Sequence, residues 1–227
     1  MRGLHGAAQS PQTAPRGPRA KSTDMARSGC IRIESVNVGR ARELAFGTQQ
    51  VLSAIAKRPL PRGAAVAVRR LGLEGDEQAD RVAHGGVDQA IYAYPSEHYA
   101  FWQTVRAQAR AAAWGDLLMP GSLGENLTLA GVLEGQLWIG DRLRLPGCVL
   151  AVSAPRRPCF KLDAALGFAQ ASKMMLRSGW CGAYLAVIEP GELRAGDTAE
   201  LLAGPREVNL SELFLARAPR GAAQRPC

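Results

Sequence analysis

From Gly124 onward the chain is cut by glycine every few residues, and this punctuation is the tightest constraint on its fold. The stretches "GENLTLAG" (124–131), "EGQLWIGDRLRLPGCVLAVSAP" (134–155) and "WCGAYLAVIEPGELRAGDTAELL" (180–202) carry apolar segments only a few residues long, separated by Gly-Asp and Pro-Gly turns. Segments of that length suit strands and are too short for ordinary helices. Such a region folds by pairing short strands across many turns. Upstream, "CIRIESVNVG" (30–39) predicts a strand whose alternation shifts phase near Ser35, and "AAVAVRRLGL" (64–73) and "QAIYAY" (89–94) predict two more. Two helices interrupt the pattern. One starts after the Pro95-Ser96-Glu97 signal, with Tyr99, Trp102, Val105 and Ala109 at helical spacing, and the other is "AQASKMMLRSG" (169–179), closed by Gly179. The expected fold class is mostly β with α insertions, arranged as a barrel.

Three segments are expected along the chain. Residues 1–28 are rich in Gly, Pro, Ala and Arg with no apolar period, so they offer too little to bury to offset ordering and are expected to be a disordered extension. Residues 29–204 form one domain. Residues 205–227 form a short tail that begins like a capped helix at Asn209 or Ser211 and then dissolves into Pro, Gly and Arg. No run approaches the ~18 apolar residues of a membrane span. The formal charge is +8, but the first 27 residues set several Arg and Lys21 against the single acid Asp24, so the excess on the domain is modest. Aromatics are 6% and show no stacking pattern, which argues against nucleic-acid binding. The five cysteines are odd in number, widely spaced and lack a C-x-x-C pair, which points away from a disulfide framework and toward a reducing, cytoplasmic setting.

Four stretches concentrate chemistry. In "GLEGDEQADRVAHGGVDQA" (72–90), Gly85 and Gly86 permit close approach of backbone amides to an anion, beside His84 and Asp88. The same stretch is also a plain turn-rich loop. In "YPSEHYAFW" (94–102), His98 falls at a helix start, as a proton-transfer group or as a cap. His84 and His98 are expected to open onto one pocket. A strand of six residues spans ~20 Å, however, and if it separates them His84 is the one kept for the site. In "PRRPCFKLD" (155–163), prolines stiffen the chain around Cys159, and Arg156, Arg157 and Lys161 favour its thiolate. Cys148 and Cys181 lie in apolar surroundings and are expected to be inert. In "GENLT" (124–128), Glu125 and Asn126 orient a polar ligand or form a turn.

In this order and spacing, "GLEGDEQAD", "HGGVDQA", "YPSEHYAFW", "GENLT", "IGDRLRL" and "PRRPCFKL" resemble the MOSC domain, the module named for the C-terminal region of molybdenum cofactor sulfurases. The nearer likeness is to the stand-alone bacterial branch linked to 6-hydroxylaminopurine resistance. The resemblance spans roughly Ile31 to Leu202. It implies a barrel related to that of pyruvate kinase, a pocket for the molybdenum cofactor, and Cys159 as the residue contacting molybdenum or carrying sulfur. His84, Asp88, His98, Glu125 and Asn126 match polar family positions. Relatives also carry a C-terminal three-helix extension, of which "VNLSELF" resembles only the first turns.

The activity implied is a molybdenum-dependent reductase of N-hydroxylated small molecules. His84 or His98 would supply protons, while Arg156, Arg157, Lys161 and the amides near Gly85 and Gly86 would hold the pterin phosphate. An external redox partner is required, because no flavin, haem or iron-sulfur motif is present. A homodimer is left open. The rival is a cofactor or sulfur carrier in which Cys159 holds a persulfide without turning over a substrate. With no pyridoxal-phosphate domain in the sequence, such a carrier would receive its sulfur from elsewhere.

Overall fold

The computed structural model describes residues 30–46, 48–79 and 85–217. The extension 1–28, His84 and the end of the tail, 218–227, lie outside the described residues. In chain order the elements are β1 (Ile31–Val38), β2 (Arg42–Phe46), β3 (Gln49–Ser53), β4 (Arg58–Pro59), β5 (Val66–Arg69), β6 (Gly72–Leu73), β7 (Ile91–Pro95), α1 (Tyr99–Gln108) and β8 (Leu127–Ala130). They continue with β9 (Arg142–Arg144), β10 (Val149–Pro155), α2 (Phe160–Leu166), α3 (Ala171–Ser178), β11 (Ala183–Glu189), β12 (Gly191–Leu193), β13 (Thr198–Leu202) and α4 (Leu210–Ala216).

Seven strands close into a barrel in the order β1-β8-β7-β11-β10-β9-β13 and back to β1. Neighbours in this ring run antiparallel except β7 and β8, which are parallel. The Gly-Asp and Pro-Gly punctuation fits the mostly antiparallel order, since hairpin turns join such strands directly. The phase shift read at Ser35 is a bulge: the register of β1 against β8 slips between Ile33 and Ser35. Ile31, Ile33 and Val36 consequently all join the barrel core. Ser35 and Asn37 instead hydrogen-bond to each other, and Asn37 donates to Thr128.

β7 is buried along its whole length because both its faces are covered. Ile91 and Ala93 point into the barrel core. Tyr92 and Tyr94 point outward into a second core with Trp102 of α1, Leu162 and Leu166 of α2 and Met175 of α3. A strand covered on both faces reads as the continuous apolar run "AIYAY". Where β11 approaches it, Gly182 adopts φ +64, and a Cβ there would lie 2.4 Å from the Ala93 carbonyl and 2.8 Å from the Tyr92 ring. No side chain fits between these strands.

Two features were not expected. α2 is a third helix in the body, starting directly after Cys159 and ending at Gly167 in a left-handed conformation. β2 and β3 form a separate hairpin that joins no larger sheet. In the tail, Asn209 Oδ1 accepts from the Ser211 and Glu212 amides at the start of α4, and Leu210 reaches the barrel core. Among the described residues no helix is long and apolar enough to cross a membrane.

Candidate functional site

A cleft with a cavity volume of about 100 Å³ opens on the flank of the barrel where β7, β10 and β11 meet the connections after β3, β6 and β10. Ser53 to Ile55 and Lys57 form one wall, and Asp76 to Ala79 another. Gln89, Tyr92 and Tyr184 come from the strand side, and Gly124 and Asn126 from the approach to β8. Arg156, Cys159 and Lys161 complete it. Gly124 allows the close packing, since at its φ of +89 a Cβ would lie 2.8 Å from Ile55 Cγ1.

The polar floor is organised by Asp76. Its Oδ1 lies 2.5 Å from Lys57 Nζ and accepts the Gly39 amide at 2.8 Å, while its Oδ2 accepts from Asn126 Nδ2 at 2.9 Å. Asn126 passes the connection on, its Oδ1 accepting the Tyr92 amide at 3.1 Å. The Lys57 and Asp76 side chains are 7% and 6% exposed. Burial lowers the Lys57 pKa from its ordinary value, against the opposing pull of Asp76. Three loops distant in sequence are thus tied through one carboxylate.

Arg156 is 6% exposed, with its guanidinium carbon 4.8 Å above the centre of the Tyr92 ring and Nη1 3.8 Å from Met175 Sδ. Among the described residues no carboxylate forms an ion pair with it. Cys159, which precedes the first residue of α2, is close enough to the Arg156 guanidinium to interact with it electrostatically. Lys161 donates to the Leu52 carbonyl at 3.1 Å, which leaves its charge beside the cleft. Burial holds the Tyr92 and Tyr184 hydroxyls above the usual phenol range, so both stay protonated. The arrangement presents cations, protic groups and a thiol toward a single opening.

Of the residues singled out from the sequence, the cleft gathers Cys159, Arg156, Lys161 and Asn126. It does not gather the others. His98 is buried at the far end of β7, its ring stacked on Trp180 at 4.5 Å and its Nε2 3.0 Å from Glu134 Oε2. That is a packing and hydrogen-bonding role away from the opening. Glu125 is sealed behind the cleft, where its carboxylate accepts from the Gly121 and Leu123 amides, Thr128 and Tyr99, and burial raises its pKa. Arg157 follows Arg156 but faces a neighbouring groove. Asp88 is exposed on the short turn Val87–Gln89, and the Gly86 amide donates to Gln78 Oε1 at 2.9 Å instead of standing open to a ligand, while Gly85 is half-buried. His84 lies outside the described residues. Of the four described cysteines, Cys148 and Cys181 are buried, and burial pushes the Cys148 thiol up to about 11 and Cys181 higher still. Lys57, Tyr92 and Tyr184 were missed. Lys57 left no local signal, because it sits beside Arg58 in "SAIAKRPL" and the Asp76 that pairs with it is distant in sequence.

The MOSC domain matches residues 80–200 of this chain, which include β7 to β12 and the Cys159 stretch. The chain belongs to the MOSC domain family. It is 38% identical over 168 residues to the uncharacterized protein YflK of Bacillus subtilis, covering 74% of this chain and 72% of that one. It is 35% identical to protein YiiM of Escherichia coli over 63% of this chain and 61% of that one. A protein named reductase from Gibberella moniliformis is 34% identical over 75% of this chain, which spans only 29% of that protein. Among solved structures, YiiM from Geobacillus stearothermophilus superposes with a TM-score of 0.63 at 28% identity, covering 81% of this chain and 82% of that one. The closed barrel described above is thus a MOSC barrel.

Proposed function

We propose that this MOSC protein binds the molybdenum cofactor in the cleft and reduces N-hydroxylated compounds such as 6-hydroxylaminopurine, using electrons from an external partner. The observation that carries the reading is the Arg156 guanidinium, which is 6% exposed, opens onto the same cleft as Cys159 and has no carboxylate partner among the described residues. A buried cation of this kind is stable when an anion completes it. The donor set fits the cofactor: Arg156 and Lys161 match a pterin phosphate, and the Cys159 sulfur matches a soft metal centre. When bound, the cofactor would supply a two-electron couple at its metal.

The remaining work falls to the protein. Reducing R-NHOH to the amine and water consumes two electrons and two protons. Lys57 Nζ lines the cleft and carries an exchangeable proton that burial makes easier to release than that of an ordinary lysine. We assign the second proton to His84, because His98 is held away from the cleft by Glu134 and Trp180. Asp76 and Asn126 fix the floor against which a substrate would be oriented. The substrate class is supported by the likeness to the 6-hydroxylaminopurine resistance branch, and the name of the Gibberella relative supports only the reductive direction of the chemistry.

The test is purification from a cofactor-producing host, with metal and pterin analysis and a reductant-driven assay on 6-hydroxylaminopurine. Cys159→Ser keeps side-chain volume but not the soft sulfur, so it is expected to lose molybdenum or turnover while unfolding at the wild-type temperature. Cys148→Ser is expected to do neither. Full metal content and turnover in the Cys159 variant would remove the centre of the reading. Cofactor retained without turnover by the wild type would favour a carrier.

A further inference from the structure

Next to the cleft lies a second groove with a cavity volume of about 140 Å³, walled by Arg157, Arg217, Phe214, Gln89 and Tyr184 among others. Its described lining contains two guanidiniums and no carboxylate. Neither arginine forms an ion pair among the described residues. Groove and cleft share a wall, since Gln89 and Tyr184 line both. At that junction Gln89 Oε1 is buried and has no hydrogen-bond partner among the described residues. An unsatisfied buried acceptor costs ~1–3 kcal/mol, so it calls for a ligand N–H or O–H.

Arg156 and Arg157 are adjacent in sequence, yet one faces the cleft and the other the groove. Successive side chains of extended chain point to opposite sides, and β10 ends just before them at Pro155. This separation takes Arg157 away from the group that Arg156 and Lys161 hold.

We infer that Arg157 and Arg217 form a phosphate subsite for the substrate, so that the natural substrate class is a purine nucleotide rather than a free base, with Gln89 Oε1 accepting from an N–H of the base. The inference rests on the proposed reductase reading for the position of the base. The chemistry required of the ligand is a planar heterocycle with a donor edge at the junction and an anionic tail reaching the groove. A free purine base satisfies only the first condition. Guanidinium pairs suit phosphate oxygens through charge-assisted hydrogen bonds.

The test uses full-length protein from a cofactor-producing host, titrated calorimetrically with adenosine monophosphate, adenosine and inorganic phosphate. The double variant Arg157→Gln/Arg217→Gln is titrated alongside, and as both side chains are exposed, folding should be unaffected. The nucleotide is expected to bind about tenfold or more tightly than the nucleoside, with the gap closing in the double variant and narrowing with salt. Equal binding of the two, no nucleotide binding, or a gap that survives the double variant would overturn the inference. Molybdenum and pterin content separate the two sources of phosphate. Loss of cofactor from the double variant would assign these guanidiniums to the cofactor and overturn the substrate assignment. Turnover of free 6-hydroxylaminopurine reads the reductase proposal on its own. Reduction of the base without a nucleotide gap removes the subsite alone, and a gap without reduction removes the reductase reading alone.

Discussion

Lys57 and Asp76 form a buried pair whose two halves are unequally replaceable. A lysine with a folded pKa below its unfolded value costs stability below the folded pKa, and that cost fades as pH rises from the folded toward the unfolded pKa. Asp76→Asn removes the main opposing charge and lowers the folded pKa further. We expect the variant to lose ~3–5 kcal/mol at neutral pH, as is usual when one partner of a buried pair is removed, and to regain part of it as pH turns alkaline. Urea unfolding at neutral and alkaline pH checks this, and a stability gap that stays constant or widens with pH would contradict it. The two histidines separate in the same way. His98→Gln weakens the contact with Glu134 and the stack on Trp180, so it should cost ~1–2 kcal/mol in unfolding and leave turnover per folded molecule unchanged. His84→Gln should do the reverse, losing turnover with the cofactor retained. Paired denaturation and activity measurements on the two variants decide whether the imidazole roles divide in this way.

At the scale of elements, the parts legible in sequence are those whose partners leave a local trace. The β1 bulge shows as a slip in alternation at Ser35, and β7 shows as an unbroken apolar run because helices cover its outer face. α4 shows through its cap. There Asn209 also donates Nδ2 to the Gly135 and Leu137 carbonyls at 3.0 and 3.3 Å, tying the helix to the barrel. Asn209→Ala should therefore cost ~2 kcal/mol, the upper end for an N-cap. Asn209→Asp keeps the cap but not these donors and should fall between the two, as chemical denaturation would show. The β2–β3 hairpin was not legible because most of its described side chains are exposed or half-buried, so no alternation marks it. α2 escaped because its seven residues make only about two turns, too few for a helical period to show, beyond a proline-rich approach. In the cleft, Cys159 and Arg156 could be read from their immediate neighbours. Lys57 could not, because its counter-ion is nineteen positions away and meets it only in the folded chain. The division of labour between Arg156 and Arg157 was equally hidden, since it depends on which way the chain leaves β10.

For the whole molecule, the decisive feature is the join between β1 and β13, where Ile31 pairs with Ala199 and Arg32 with Thr198. A chain ending before Thr198 would leave β1 and β9 as open edges, which are ready templates for pairing with other chains. We expect such a truncation to unfold without a cooperative transition, to aggregate and to retain no cofactor, as scanning calorimetry, light scattering and metal analysis would show. A soluble, cooperatively folding truncation would show that closure is dispensable. The first strand of the barrel is made first by the ribosome and its partner last. Tyr184, the last contributor to the cleft, also comes late in the chain. While the protein is still being synthesised, β1 waits unpaired on one side and the cleft lacks a wall. On the proposed reading, the cofactor would load only onto the completed polypeptide, and a nascent chain stalled short of its closing strand would expose an unpaired edge rather than work as a partial binder.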